Sequence, residues 1–173
     1  GGVLHCLRAE GKLVNLTARH EASGAPGQCG IGHTRWATHG KPEERNAHPH
    51  LDGEGRVAVV QNGIIENHRS LRERLQAGGH KPGGALLLEG VQAVLPQLHG
   101  AYALAVVWAE APGALVVARK AAPLLIGLGE GEFLCASDTP ALAGFTRTIL
   151  PLEDGETALL KPLGIELYNQ AGE

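Results

Sequence analysis

The sequence predicts an α+β domain built on antiparallel sheets, and three observations predict it. Short apolar runs, each about a strand long, alternate with Gly- and Pro-containing turns along the chain. Only two segments carry helical periodicity, and both lie mid-chain. Runs of strands with clustered helices suit antiparallel sheets better than alternating βαβ units. The 173 residues, 43% of them apolar, are enough for one domain with a sizeable core.

Taken in order, strands are expected at 3–8, 12–17, 30–34, 57–61, 101–108, 114–118, 124–127, 133–136, 156–160 and 166–168. The turns between them are carried by Glu10-Gly11, Asp52-Gly53, Pro112-Gly113, Gly129-Glu130-Gly131 and Asp154-Gly155. A helix is expected over 67–76, where Leu71 and Leu75 are four apart, Asn67 can cap, and Arg69 precedes Glu73 by one turn. A second is expected over 85–98, with Leu87, Val91, Val94, Leu95 and Leu98 on one stripe and Pro96 ending or kinking its last turn. Asp138 is placed to cap a short helical turn.

Several function classes are excluded at this level. The net charge is −3 and no run of five Lys or Arg occurs, so no nucleic-acid partner is expected. No apolar stretch approaches the roughly 18 residues of a membrane span, and no signal peptide is visible, so the expected compartment is the cytoplasm. The three cysteines, Cys6, Cys29 and Cys135, form no C-x-x-C pair and read as reduced thiols. Methionine is absent and the chain opens inside an apparent strand, so residues upstream of Gly1 are expected to be missing.

Two stretches carry chemistry. The first is Gly32-His33-Thr34-Arg35-Trp36-Ala37-Thr38-His39-Gly40-Lys41-Pro42, followed by Asn46-Ala47-His48-Pro49-His50. A guanidinium can grip a carboxylate in a bidentate fork, and Thr38 and His39 can add hydrogen bonds to the same anion. The alternative is an ordinary polar loop with a half-buried Trp. The second is Gln61-Asn62-Gly63 between apolar runs. Asn-Gly is a strong hairpin signal. Its chemical alternative is an oxyanion hole, built from the Asn62 side-chain amide and the Gly63 backbone N–H. Composition leaves both pairs of readings open. His48-Pro49-His50 invites a metal, but no carboxylate accompanies it at ligand spacing, so neither a metal nor any other cofactor is expected.

Residues 33–42, 46–50 and 61–68 together closely resemble the glutaminase domain of the glutamine–fructose-6-phosphate aminotransferase (glucosamine-6-phosphate synthase) family, a class II glutamine amidotransferase. The resemblance continues through 98–104, 118–129, 136–142 and 152–160, in order and at compatible spacing. It implies that residues 1–173 form one glutaminase domain. The implied fold is a four-layer αββα sandwich of two stacked antiparallel sheets, the N-terminal-nucleophile hydrolase fold. The implied reaction is attack of an N-terminal Cys thiolate on the side-chain amide of L-glutamine, giving glutamate and ammonia. In the family the ammonia passes to a C-terminal sugar-isomerase domain of the same polypeptide, which makes glucosamine 6-phosphate from fructose 6-phosphate. The full enzyme is expected to be a homodimer.

Carried over by position, Arg35 grips the glutamine α-carboxylate with support from Thr38 and His39. Trp36 sits in the closing loop, and Asn62 and Gly63 form the oxyanion hole. Arg35, Thr38, His39, Asn62 and Gly63 should then converge on one cleft, with Arg35 on the order of 10 Å or less from Asn62. The nucleophilic Cys has no match. Cys29-Gly30-Ile31 is rejected for that part because Cys29 has no free α-amino group. Two further departures stand out. Gln61 replaces the family's His, a polar change of modest expected consequence. The family's acidic stretch, which holds the substrate amine, is absent where Gly78 to Gly84 runs into the next helix, so a segment is expected to be missing there. Besides a genuine glutaminase, the residues admit a catalytically inactive glutaminase-like binding domain and a scaffold that kept only the fold.

Overall fold

The computed structural model describes residues 2–35, 41, 43–78 and 87–173. Helix α1 (Leu13–Ser23) comes first, then a 3-10 turn (Glu44–Asn46), β1 (His50–Leu51) and β2 (Val57–Ile65). Helices α2 (His68–Gly78) and α3 (Leu87–Val94) follow, with a 3-10 turn (Leu95–Gln97) extending α3. The remainder is strand: β3 (Gly100–Trp108), β4 (Leu115–Lys120), β5 (Leu125–Leu128), β6 (Phe133–Ala136), β7 (Thr148–Pro151), β8 (Thr157–Lys161) and β9 (Gly164–Tyr168).

The strands form two sheets, a larger one ordered β1-β2-β3-β4-β8-β9 and a smaller one ordered β6-β5-β7. Every ladder is antiparallel. Successive side chains of a strand point to opposite faces, and the sequence uses this alternation to build two cores. Ala58, Val60, Ala103, Ala105, Val107, Leu115, Val117, Ala158 and Leu160 of the large sheet pack with Leu124, Ile126 and Leu152 of the small-sheet region. The two sheets are therefore stacked through one apolar layer. On the large sheet's other face, Val59, Ile65, Tyr102 and Leu104 pack with Leu71, Leu95 and Leu98 from the helical layer. β4 is central, so Val116, Val117 and Ala118 are fully buried and its sequence reads as an unbroken apolar run. The predicted α+β class with stacked antiparallel sheets is the fold observed. No helix among the described residues is long and apolar enough to cross a membrane.

Several expected elements are corrected. Residues 12–17 are helical, not strand. Leu13 and Val14 are 63% and 64% exposed, and α1 buries nothing. With no ladder partner, its backbone groups are satisfied within a helix, which Gly24 ends in the left-handed conformation (φ 57°). Residues 3–8 and 30–34 lie outside the strands. Both nevertheless run against the main core, where Leu4 and Ile31 pack. β7 was not expected; it ends on Pro151, whose missing N–H is tolerated at the sheet edge. The second helix is α-helical only to Val94. Pro96 then tightens the chain into a 3-10 turn, and the expected start at 85–86 lies outside the described residues. Asp138 caps a turn, accepting from the Ala141 N–H at 3.4 Å, and no helix follows. Of the stretch from Gly78 to Gly84, where a missing segment was expected, Gly79 to Gly84 lie outside the described residues.

Candidate functional site

Asn62 and Gly63 do not form a hairpin turn. β2 runs through them, pairing Asn62 with Ala103 and Gly63 with Tyr102. The chain nonetheless kinks there. Gly63 has φ 93°, and a Cβ at this position would stand 2.2 Å from the Ala101 carbonyl oxygen. Only glycine meets that requirement, which is the physical reason the Asn-Gly pair sits inside a strand. The Gln61 side chain clamps the same point, its Nε2 donating to the carbonyls of Asn62 (2.8 Å) and Gly63 (2.7 Å). A trans peptide sets N–H opposite C=O, so gripping the Asn62 carbonyl also fixes the direction of the Gly63 N–H.

The extended segment before the polar loop reaches this kink. His33 Nε2 lies 2.8 Å from Asn62 Oδ1. Its ring stacks on His48, with centroids 4.2 Å apart and planes at 27°, and His48 meets His50 at 4.4 Å. His48 in turn accepts from the Gln61 backbone N–H at Nδ1 (3.3 Å). Two residues beyond His33, Arg35 donates from Nη1 to the Lys41 carbonyl at 3.0 Å, an oxygen that Asn46 also uses.

The electrostatics are those of a cationic basin that disfavours the charged forms of His48 and His50. Burial, then His33, His50, Arg35 and Arg8, press His48 down to about 4. Burial, then Arg8, Arg35 and His33, lower His50. A neutral His48 is what its role as hydrogen-bond acceptor requires. The stacked rings present faces to one another and do not converge on a point, and among the described residues no group of three His, Cys, Asp or Glu could hold a metal ion.

Neither Cys29 nor Cys135 is primed as a thiolate. Burial raises the Cys135 pKa to about 11, with Cys29 contributing, and burial raises Cys29 as well. Of the residues singled out from sequence, Arg35, Asn62 and Gly63 are described, and Arg35 acts on the same imidazole cluster that touches Asn62. Trp36, Thr38 and His39 lie outside the described residues. The sequence reading gave no role to His33, His48 or Gln61 as supports of Asn62. The i, i+2 spacing of His33 and Arg35 in an extended segment was the available signal that both face one side.

A family model described as a glutamine amidotransferase domain matches residues 33–144. Among curated relatives, the glutamine–fructose-6-phosphate aminotransferase (isomerizing) of Thermosynechococcus vestitus is 52% identical over 192 aligned positions, which take in 99% of this chain and 31% of that protein. The enzyme of the same name from a Nostoc species is also 52% identical, over 195 positions, with the same coverage. The chain thus spans about a third of the length of the curated relatives it matches. Among solved structures, glutamine phosphoribosylpyrophosphate amidotransferase from B. subtilis, complexed with ADP and GMP, aligns with a TM-score of 0.80 at 23% identity, over 98% of this chain and 41% of that one. The allosteric regulatory enzyme of purine biosynthesis aligns with a TM-score of 0.67 at 24% identity, over 80% and 34%. At those identities the likeness is one of fold.

Proposed function

Because this chain belongs to the glutamine amidotransferase domain family, whose model matches residues 33–144, we propose that it binds L-glutamine and supports hydrolysis of its side-chain amide to glutamate and ammonia. The observation that carries this reading is the held Asn62. Its side-chain oxygen is turned to His33, leaving the amide nitrogen to donate, on a kinked strand whose next peptide is clamped by Gln61. Two such donors suit an oxyanion that forms when the amide carbon becomes tetrahedral. Arg35 supplies a guanidinium for the α-carboxylate, and to Trp36, Thr38 and His39, which follow it in the sequence, we give the supporting parts implied by the motif.

The attacking thiolate is not assigned to Cys6, Cys29 or Cys135, and we place it on an N-terminal cysteine of the full polypeptide. The relatives' names, and the third of their length that this chain spans, support a further part of the same polypeptide that uses the ammonia to aminate fructose 6-phosphate; we extend the proposal to a homodimer of the full enzyme. An aligned stretch longer than the chain itself supports the reading that these relatives carry residues, such as an acidic amine-binding segment, that this chain lacks near 78–84. The free thiols suit a reducing, cytoplasmic setting.

The test is glutaminase turnover of the full-length polypeptide, read as glutamate release. Asn62→Ala should lower kcat by ~10²-fold or more, the loss expected for one oxyanion donor. An Asn62→Ala enzyme at wild-type kcat would remove Asn62 from the reaction.

A further inference from the structure

We propose that His33 is a positioning residue that sets which end of the Asn62 amide faces the reacting carbonyl; this rests on the oxyanion role given to Asn62 above. An Asn side chain presents an acceptor oxygen on one side and a donor NH2 on the other. Only the NH2 end stabilises an oxyanion, while the oxygen end repels it. Asn62 Oδ1 lies 2.8 Å from His33 Nε2, and since Oδ1 can only accept, Nε2 must carry the proton. That one hydrogen bond points the NH2 away from His33. The opposite tautomer would accept from the NH2 and turn the carbonyl oxygen into the site.

Among the described residues nothing else on the ring competes for this choice. His33 Nδ1 is buried with no hydrogen-bond partner, so neither a donor nor an acceptor there selects the tautomer. The ring plane is fixed by stacking on His48, 4.2 Å away. His48 is itself held neutral, and its Nδ1 accepts from the Gln61 N–H. Asn62 has no other side-chain hydrogen bond among the described residues, so its amide orientation depends on His33. The contact joins positions 29 residues apart and ties the start of the substrate loop to the oxyanion strand.

The experiment is steady-state glutaminase kinetics on the full-length polypeptide with His33→Phe, His33→Gln, Asn62→Ala and the double variant His33→Phe/Asn62→Ala. Phenylalanine keeps the stack and removes the donor, and His33→Leu serves if the Phe variant does not fold. Loss of the donor should lower kcat ~10-fold or more while leaving the KM for glutamine within about twofold, because orientation and not ground-state binding is lost. His33→Gln, whose amide can donate to Oδ1, should recover most of the rate. On the Asn62→Ala background His33→Phe should cost nothing further, since the two act as one unit. A His33→Phe enzyme with wild-type kcat, a rise in KM alone, a Gln variant no better than Phe, or an additive loss on Asn62→Ala would each overturn the proposal. If Asn62→Ala alone is impaired, only the part given to His33 fails. If Asn62→Ala retains full kcat, the oxyanion reading fails first.

Discussion

At the scale of single residues, Gly63 and Gly100 lie near the end of the β2–β3 ladder, paired with Tyr102 and Ile65, with φ 93° and 105°. A Cβ on Gly63 would meet the Ala101 carbonyl at 2.2 Å, and one on Gly100 the Ile64 carbonyl at 2.3 Å. Backbone, unlike a flexible side chain, cannot step aside. Gly63→Ala should therefore destabilise the fold by more than ~1 kcal/mol through strain alone. The measurement is the denaturant midpoint, and an unchanged midpoint would mean the kink is not required. Arg35→Lys tests the carboxylate grip. Lysine keeps the charge and loses the planar fork, so the glutamine KM should rise strongly in a folded enzyme with kcat little changed. A Lys variant at wild-type KM would remove Arg35 from substrate binding. His48 adds a pH dependence. Its folded pKa, about 4, lies below the ordinary 6.5, so between those values the unfolded chain binds a proton that the folded chain refuses. Its contribution is whole above about pH 6.5 and is lost as the pH falls toward 4. Denaturation at pH 7.5 and 5 should show less stability at the lower pH, and His48→Gln should flatten that difference. A His48→Gln profile as steep as wild type would show that other groups produce it.

At the scale of elements, burial and not local propensity separates those that matter to stability from those that do not. β5 places Ile126 at zero exposure between the sheets, while α1 holds Leu13 at 63% exposure with nothing buried along its length. Ile126→Ala should cost about 2–5 kcal/mol of unfolding free energy, and Leu13→Ala should stay within about 0.5 kcal/mol. Urea denaturation of both variants checks this, and equal costs would contradict the layer assignment. The same contrast explains the misread segment at 12–17. Leu13, Val14 and Leu16 look like strand residues, but an apolar run becomes a strand only where an open sheet edge can receive it.

At the scale of the whole molecule, the stacked sheets hold two chain segments at one place, the kink of β2 and the approach of residues 30–35. Much of this was legible in the sequence, and the reason is periodicity. β3, β4, β5, β6 and β8 announce themselves by apolar runs between Gly turns, because a buried strand needs an apolar face whatever its neighbours are. The substrate-loop motif was legible only through its resemblance to a known family, since residue chemistry alone left an ordinary polar loop open for Arg35 and a hairpin turn open for Asn62-Gly63. What the linear pattern could not supply was pairing. That β2 passes straight through Asn62-Gly63 depends on β3 lying alongside, and that His33 reaches Asn62 depends on folding together segments 29 residues apart. The sequence by itself determined the apolar runs of the central strands and which chemistry was available, but not that Leu13 and Val14 would stay exposed. The tertiary structure alone decided which strand each edge receives and which donor each acceptor meets, because those choices are made between distant segments and leave no local period to read.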